Sequence, residues 1–193
     1  MADDAALLTT AHAGPKRFTW DDVIAMSRAG LFGETERVEL EGGELYVIPE
    51  EGPLHVDALE AIRRWLDAHL PATLTVSIRG PLHLPDGAVY IPDLCVFPAG
   101  FRARDMIAAN ARLVIEISDT TLNRDKRRKV PRYAAAGIAE FWLVDPVSRT
   151  VTVHRQPATD WGSVEAFGVD ASIAPLCMAK AAFVVADLPT PDL

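Results

Sequence analysis

Cysteine is scarce. The two residues, Cys95 and Cys177, lie far apart and share no C-x-x-C spacing, which excludes a disulfide framework and a zinc ribbon and suits a reducing, cytoplasmic setting. Long apolar runs are missing as well: no stretch reaches the roughly 18 residues that cross a bilayer, and the longest candidate, Ile173 to Ala186, is interrupted by Lys180. Met1 to Lys16 carries Asp3 and Asp4 in place of a basic opening and is not expected to act as a secretory signal. Residues 1–16 are therefore expected to be a flexible leader, ahead of one domain over 17–193. Positive charge is in the minority, with 19 Lys and Arg against 27 Asp and Glu and a net charge of -8. Phosphate binding is driven by Lys and Arg displacing counterions, so this balance excludes a protein that coats nucleic acid with its whole surface and leaves room only for a local basic site. What is present, 193 residues of which 49% are hydrophobic and 24% charged, is the composition of a soluble globular protein. At that length roughly 70% of the unfolded surface can be buried without cross-links.

Thr19, followed three residues later by Asp22 and then by apolar Val23, Ile24 and Met26, predicts a capping box opening a short helix that Gly30 closes. From Glu34 to Glu51 glutamates alternate in part with Val38, Leu40, Leu45 and Val47, which predicts a hairpin with Gly42-Gly43 as its turn. His55 to Leu70 is the clearest helix, since Val56, Leu59, Ile62, Trp65, Leu66 and Leu70 recur at helical spacing before Pro71. Strands are expected over Leu74–Ile78, Pro81–Leu84, Val89–Phe97 (interrupted at Pro92) and Arg112–Ser118. A basic helix then runs from Arg124 into Tyr133 and Gly137, and two more strands, Phe141–Val144 and Thr150–His154, flank a turn at Asp145-Pro146. Beyond Gln156 one further strand is expected near Ala182 to Val185. Helix, strands, helix, strands in this order predict an α/β or α+β fold, a mixed β-sheet flanked by helices with an N-terminal β-hairpin.

Three features stand out chemically. Glu116 sits inside Leu113-Val-Ile-Glu-Ile117, where an unpaired carboxylate is costly to bury. Strand alternation puts Val114, Glu116 and Ser118 on one face, so Glu116 points either into a pocket or to a solvated sheet edge where an arginine meets it. Asp93 follows Pro92 inside a strand-like run, a place where a bulge re-aims a side chain, although Pro-Asp is also an ordinary turn pair. An Asp and a Glu from neighbouring strands are what a magnesium site uses, alongside waters and phosphate oxygens. The third feature is the cluster Arg124, Lys126, Arg127, Arg128, Lys129 and Arg132. It is either a solvated helix face or, following the Glu116 strand directly, a source of positive charge for a phosphate.

Pro92-Asp93, Glu116-Ile117-Ser118, Asp125-x-x-x-Lys129-x-x-x-Tyr133 and Ala136-Gly137-Ile138-x-Glu140-Phe-Trp-Leu-Val-Asp145-Pro146, with Glu39-Leu40-x-x-Gly43-Glu44-Leu45 and His55 upstream, resemble the Uma2 family of restriction-endonuclease-like proteins within the PD-(D/E)XK nuclease superfamily. The resemblance covers about Thr19 to Val153. It implies a nuclease core with Mg2+ or Mn2+ held by Asp93 and Glu116. The superfamily's usual lysine position is Ser118 here, and Lys129 on the following helix would be the migrated substitute. Pro131 falls inside that helix, where an interior proline costs ~3 kcal/mol, so the helix is expected to begin or bend near it. His55 and Glu39 would be auxiliary ligands or proton handlers; by pattern alone His55 could equally cap the core and Glu39 face solvent. Tyr133 reads as a packing residue.

The expectation is a metal-dependent endonuclease acting on DNA, with Arg124, Lys126, Arg127 and Arg128 facing phosphate and a homodimer as a candidate assembly. The competing reading is a catalytically degenerate module of the same fold with a regulatory or scaffolding role, favoured by the net acidity. A hydrolase of another phosphoester is not separable from the first by sequence.

Overall fold

The computed structural model describes residues 14–33, 36–118 and 122–191; the greater part of the expected leader lies outside them. Thr19 caps α1 (Trp20–Arg28) with a complete capping box, its hydroxyl accepting from the Asp22 amide while the Asp22 carboxylate accepts from the Thr19 amide. The glutamate-rich segment forms the expected hairpin, β1 (Arg37–Glu41) and β2 (Glu44–Ile48). Its turn residues Gly42 and Gly43 both have positive φ, 56° and 78°, as the tight turns that match strand twist require. Helix α2 spans Pro53–His69, with proline in its first turn, where the missing N–H would be unpaired anyway.

The main sheet has six strands in the order β10-β9-β8-β7-β6-β3. These are β3 (Leu74–Ile78), β6 (Leu94–Pro98), β7 (Leu113–Ile117), β8 (Glu140–Asp145), β9 (Thr150–Pro157) and β10 (Trp161–Phe167). All pairs are antiparallel except β7 with β8. That parallel pair is bridged by α3 (Leu122–Ala135), the crossover such a connection needs. A second, four-stranded sheet has the order β2-β1-β5-β4, where β4 is Leu82–His83 and β5 is Val89–Tyr90. A two-stranded ribbon pairs β11 (Ser172–Ile173) with β12 (Phe183–Val184).

Alternation decides which residues each layer receives. Leu113, Ile115 and Ile117 join Ile62, Trp65 and Leu66 of α2 in one apolar layer. Val114 turns the other way, into a layer with Tyr133 and Ala134 of α3 and with Leu82 and Tyr90 of the small sheet. The C-terminal apolar segment, whose destination the sequence leaves open, packs on its own chain: Ile173, Met178, Phe183, Val185 and Leu188 complete the α2 layer, and the Trp65 indole donates to the Ala182 carbonyl at 3.1 Å.

Two expectations need correcting. The Val89–Phe97 run is not one strand broken by proline; its halves enter different sheets, β5 in the small one and β6 in the large one, with Ile91-Pro92-Asp93 as the crossing. Helix α3 does not begin at Pro131 but spans Leu122–Ala135 with the proline inside it. Lys129 before the proline and Tyr133 after it both bond Glu116, and Arg128 and Arg132 both pair with Glu41, which ties both halves to the same partners and offsets the lost backbone bond. Strands β10 and β11 went unread, since their short polar alternation lacks a motif. Among the described residues no helix is long and apolar enough to cross a membrane.

Candidate functional site

Strand β1 turns Val38 and Leu40 to a small apolar cluster under α1 and so turns Glu39 and Glu41 toward α3. Helix α3 meets them with two adjacent i, i+4 pairs, Arg128 with Arg132 and Lys129 with Tyr133, each pair forming one stripe of the helix. Glu116 on β7 faces the second stripe. Lys129 Nζ lies 3.0 and 3.1 Å from the two Glu116 carboxylate oxygens and 2.8 Å from Glu39 Oε1. The Tyr133 hydroxyl donates to Glu116 Oε1 at 2.7 Å. Glu39 Oε1 also accepts from the Ile91 amide at 3.2 Å, and Glu39 Oε2 from Arg128 at 3.1 Å. The sequence-predicted Glu39, Glu116 and Lys129 thus meet in one buried cluster.

Arg128 donates through Nε to Glu41 Oε2 at 2.6 Å and stacks its guanidinium 4.0 Å above the Tyr46 ring. Arg132 pairs with Glu41 at 2.9 Å and with Asp86. Burial pushes the Glu41 carboxyl up, but hydrogen bonds from Arg128 and Tyr90 outweigh it and hold the group below its ordinary value. Burial, then the Glu116 and Glu39 charges, push the Tyr133 phenol well above its ordinary range, so it stays a donor to Glu116 at every physiological pH. Burial and the Glu116 charge likewise push the Cys95 thiol up, which leaves it unreactive. Of the basic run, Arg127 is exposed; the side chains of Arg124 and Lys126 lie outside the described residues.

Asp93 occupies the crossing between the two sheets. Its Oδ2 accepts from the Ile117 amide at 2.7 Å, which fixes the carboxylate beside the residue that follows Glu116. Its Oδ1 lies 3.1 Å from His55 Nε2, delivered by the first turn of α2. His55 Nε2 is also 3.5 Å from Glu51 Oε2. Among the described residues, Glu51, His55 and Asp93 are the group whose ligand atoms all lie within 4.8 Å of one another, and Glu116 is not part of that trio. The predicted residues therefore fall into two neighbouring clusters, Asp93 with His55 and Glu116 with Lys129 and Glu39, linked through the Ile117 backbone. Glu51 escaped sequence reasoning; its spacing of four from His55 was the available signal. Tyr133 was assigned to packing because its hydroxyl's partner lies on another element.

Buried carboxylates are the hard oxygen donors that Mg2+ and Mn2+ take, and an imidazole beside them suits Mn2+ more than Mg2+. By distance, the described donor set that fits such an ion is Glu51, His55 and Asp93, while the Glu116 carboxylate is engaged by Lys129 and Tyr133.

The family model named Uma2, described as "Putative restriction endonuclease", matches residues 20–184. A crystal structure of "a putative nuclease belonging to DUF820" from Anabaena variabilis ATCC 29413 shares the fold, with a TM-score of 0.67 at 18% identity over 84% of this chain and 96% of that one. No curated protein matches the sequence.

Proposed function

Because the chain belongs to the Uma2 family, described as "Putative restriction endonuclease", we propose that it is a Mg2+- or Mn2+-dependent endonuclease that hydrolyses phosphodiester bonds in DNA through a PD-(D/E)XK-type site. The observation that carries this reading is the bond from the Ile117 amide to Asp93 Oδ2, because it brings Asp93 to the strand that bears Glu116, whose carboxylate in turn holds Lys129. Asp93 and Glu116 would hold the ion, which when bound orients and acidifies an attacking water.

The chain's own groups do the rest. Lys129, positioned by Glu39 and Glu116, places a positive charge where negative charge grows on the phosphoryl oxygens. Tyr133 fixes the orientation of Glu116. His55 accepts or returns a proton next to Asp93. Arg124, Lys126, Arg127 and Arg128 would supply a phosphate-facing wall, Arg128 only by exchanging its hold on Glu39 and Glu41. Two unpaired cysteines suit a reducing cytosol, and a homodimer would place two such sites on the two strands of a duplex.

A plasmid-cleavage assay with Mg2+ or Mn2+ tests the proposal. Wild-type protein is expected to nick or linearise DNA, and Glu116→Gln to lose this while melting as a folded protein. Retained cleavage in the variant, or no cleavage by wild type on single- or double-stranded DNA, would sink it. The second of those outcomes favours the alternative of a degenerate module with a regulatory or scaffolding role, for which one observation speaks: Arg128 already occupies Glu39.

A further inference from the structure

A charged cleft adjoins His55 through Glu51, which lines it and lies 3.5 Å from the His55 ring. It has a volume of about 320 Å³ and is lined by Arg37 and Arg79, by Glu51 between them, and by Ile48, Pro49 and Val56, with Glu50 exposed at its rim. Arg37 comes from the start of β1 and Arg79 from the turn after β3, yet both guanidiniums close on one carboxylate: Arg37 on Glu51 Oε1 and Arg79 on Glu51 Oε2. A guanidinium offers five N–H donors and Glu51 draws on one nitrogen of each. Arg79 Nε is buried, but the terminal nitrogens of the two forks are left for another acceptor, and both arginines keep solvent access, at 27% and 33% exposure.

The cleft is built at some cost and registered to the site. Arg79 holds a left-handed backbone, φ 52°, a conformation that is strained for a side chain of this size and concentrates at functional positions. Its amide donates to the Asp93 carbonyl at 3.1 Å, so the arginine is hydrogen-bonded to the backbone of the proposed metal ligand. The cleft also borders the start of α2, a 17-residue helix whose N-cap, Gly52, makes no side-chain bond and whose first turn has no acidic residue, leaving its positive end open to an anion. Val56 in that first turn is 45% exposed, an apolar surface beside two guanidiniums. Phosphate on a fork and sugar on an apolar wall is the alternation of a nucleic-acid strand.

We propose that Arg37 and Arg79 form a backbone-phosphate cradle for the DNA strand, with Ile48 and Val56 against the deoxyribose next to the phosphate. Glu51 preorganises the two forks, and with Glu50 exposed at the rim the lining carries two positive and two negative charges, so the phosphate is held by directed N–H donors rather than by excess charge. The inference rests on the nuclease reading and names where that site's substrate is held.

Fluorescence anisotropy of a labelled duplex, measured with EDTA so that no cleavage occurs and over a series of salt concentrations, tests it. Each of Arg37→Gln and Arg79→Gln is expected to lower the slope of log affinity against log salt by about 0.9, equivalent to roughly tenfold weaker binding at about 0.1 M salt. Arg37→Lys and Arg79→Lys keep the pairing with Glu51 and are expected to keep the slope while binding less tightly, which separates a phosphate contact from a folding defect. Arg64→Gln, on an exposed part of α2 at 69% side-chain exposure, is the control and is expected to change nothing. A wild-type slope in the Arg37→Gln/Arg79→Gln protein overturns the cradle, as does a wild-type chain that binds no duplex. Cleavage by wild type with an unaltered slope in the arginine variants means the cradle alone fails; altered slopes without cleavage by wild type leave the cradle and remove the nuclease.

Discussion

Lys129 is the cation that two buried carboxylates share, 2.8 Å from Glu39 and 3.0 Å from Glu116. Replacing it by methionine takes the Lys129 cation from Glu116 while Glu39 keeps its pair with Arg128, and breaking a buried pair from one side costs about 3–5 kcal/mol; Lys129→Met is expected to show that loss in urea denaturation. Tyr133→Phe removes a single 2.7 Å bond to Glu116 and is expected to cost about 1–3 kcal/mol, because a buried acceptor loses a donor while the ring's packing is kept. Glu41 gives the molecule an acid limit. Its folded carboxyl lies below the ordinary value of 4.5, so its contribution to stability is complete above that value and is lost as pH falls through the depressed one. Urea midpoints should fall from pH 5 toward pH 3, less steeply in Glu41→Gln. At this scale strand alternation made Glu116 legible, since an acid on an apolar strand must have a partner. The partner's identity was not legible for Tyr133 or Glu51, whose contacts are made across elements by chain geometry that no local spacing encodes.

Among the elements, the β1–β2 turn is the most exacting. Gly43 has φ 78°, and a Cβ there would stand 2.6 Å from the Arg17 Cβ. Gly43→Ala is therefore expected to destabilise by at least about 1–2 kcal/mol, the cost of the left-handed conformation before any clash is counted; a drop in melting temperature checks it. The capping box at Thr19, the Gly-Gly hairpin and the apolar stripe of α2 were all readable because each is a local signal with a local cause. Pro131 misled because a proline's penalty is also local, whereas the bonds that carry α3 through it arrive from β1 and β7. The Val89–Phe97 run misled in the same way: periodicity announces a strand and says nothing of which sheet takes it.

In the whole molecule, the layer under α2 is finished only by the C-terminal segment, which contributes Ile173, Met178, Phe183, Val185 and Leu188. Arg149 pins this segment by donating to the Ala186 and Leu188 carbonyls at 2.6 and 3.1 Å. Truncation after Asp170 is expected to expose Trp65 and Trp142 and to replace a cooperative melt with a broad one that binds hydrophobic dyes, as read by calorimetry and dye fluorescence. The mixed sheet and its flanking helices were legible from the order of elements; the second sheet was not, because its strands were expected one by one but no local signal says that β4 and β5 pair with the hairpin rather than with the main sheet. Where the two sheets meet, the Ile117 amide proton points at the Asp93 carboxylate. A proton held by a carboxylate oxygen resonates well downfield, at a frequency set by the electron density on that oxygen. One cross-peak in an isotope-labelled sample thus becomes a gauge of whatever binds Asp93, readable before any substrate has been found.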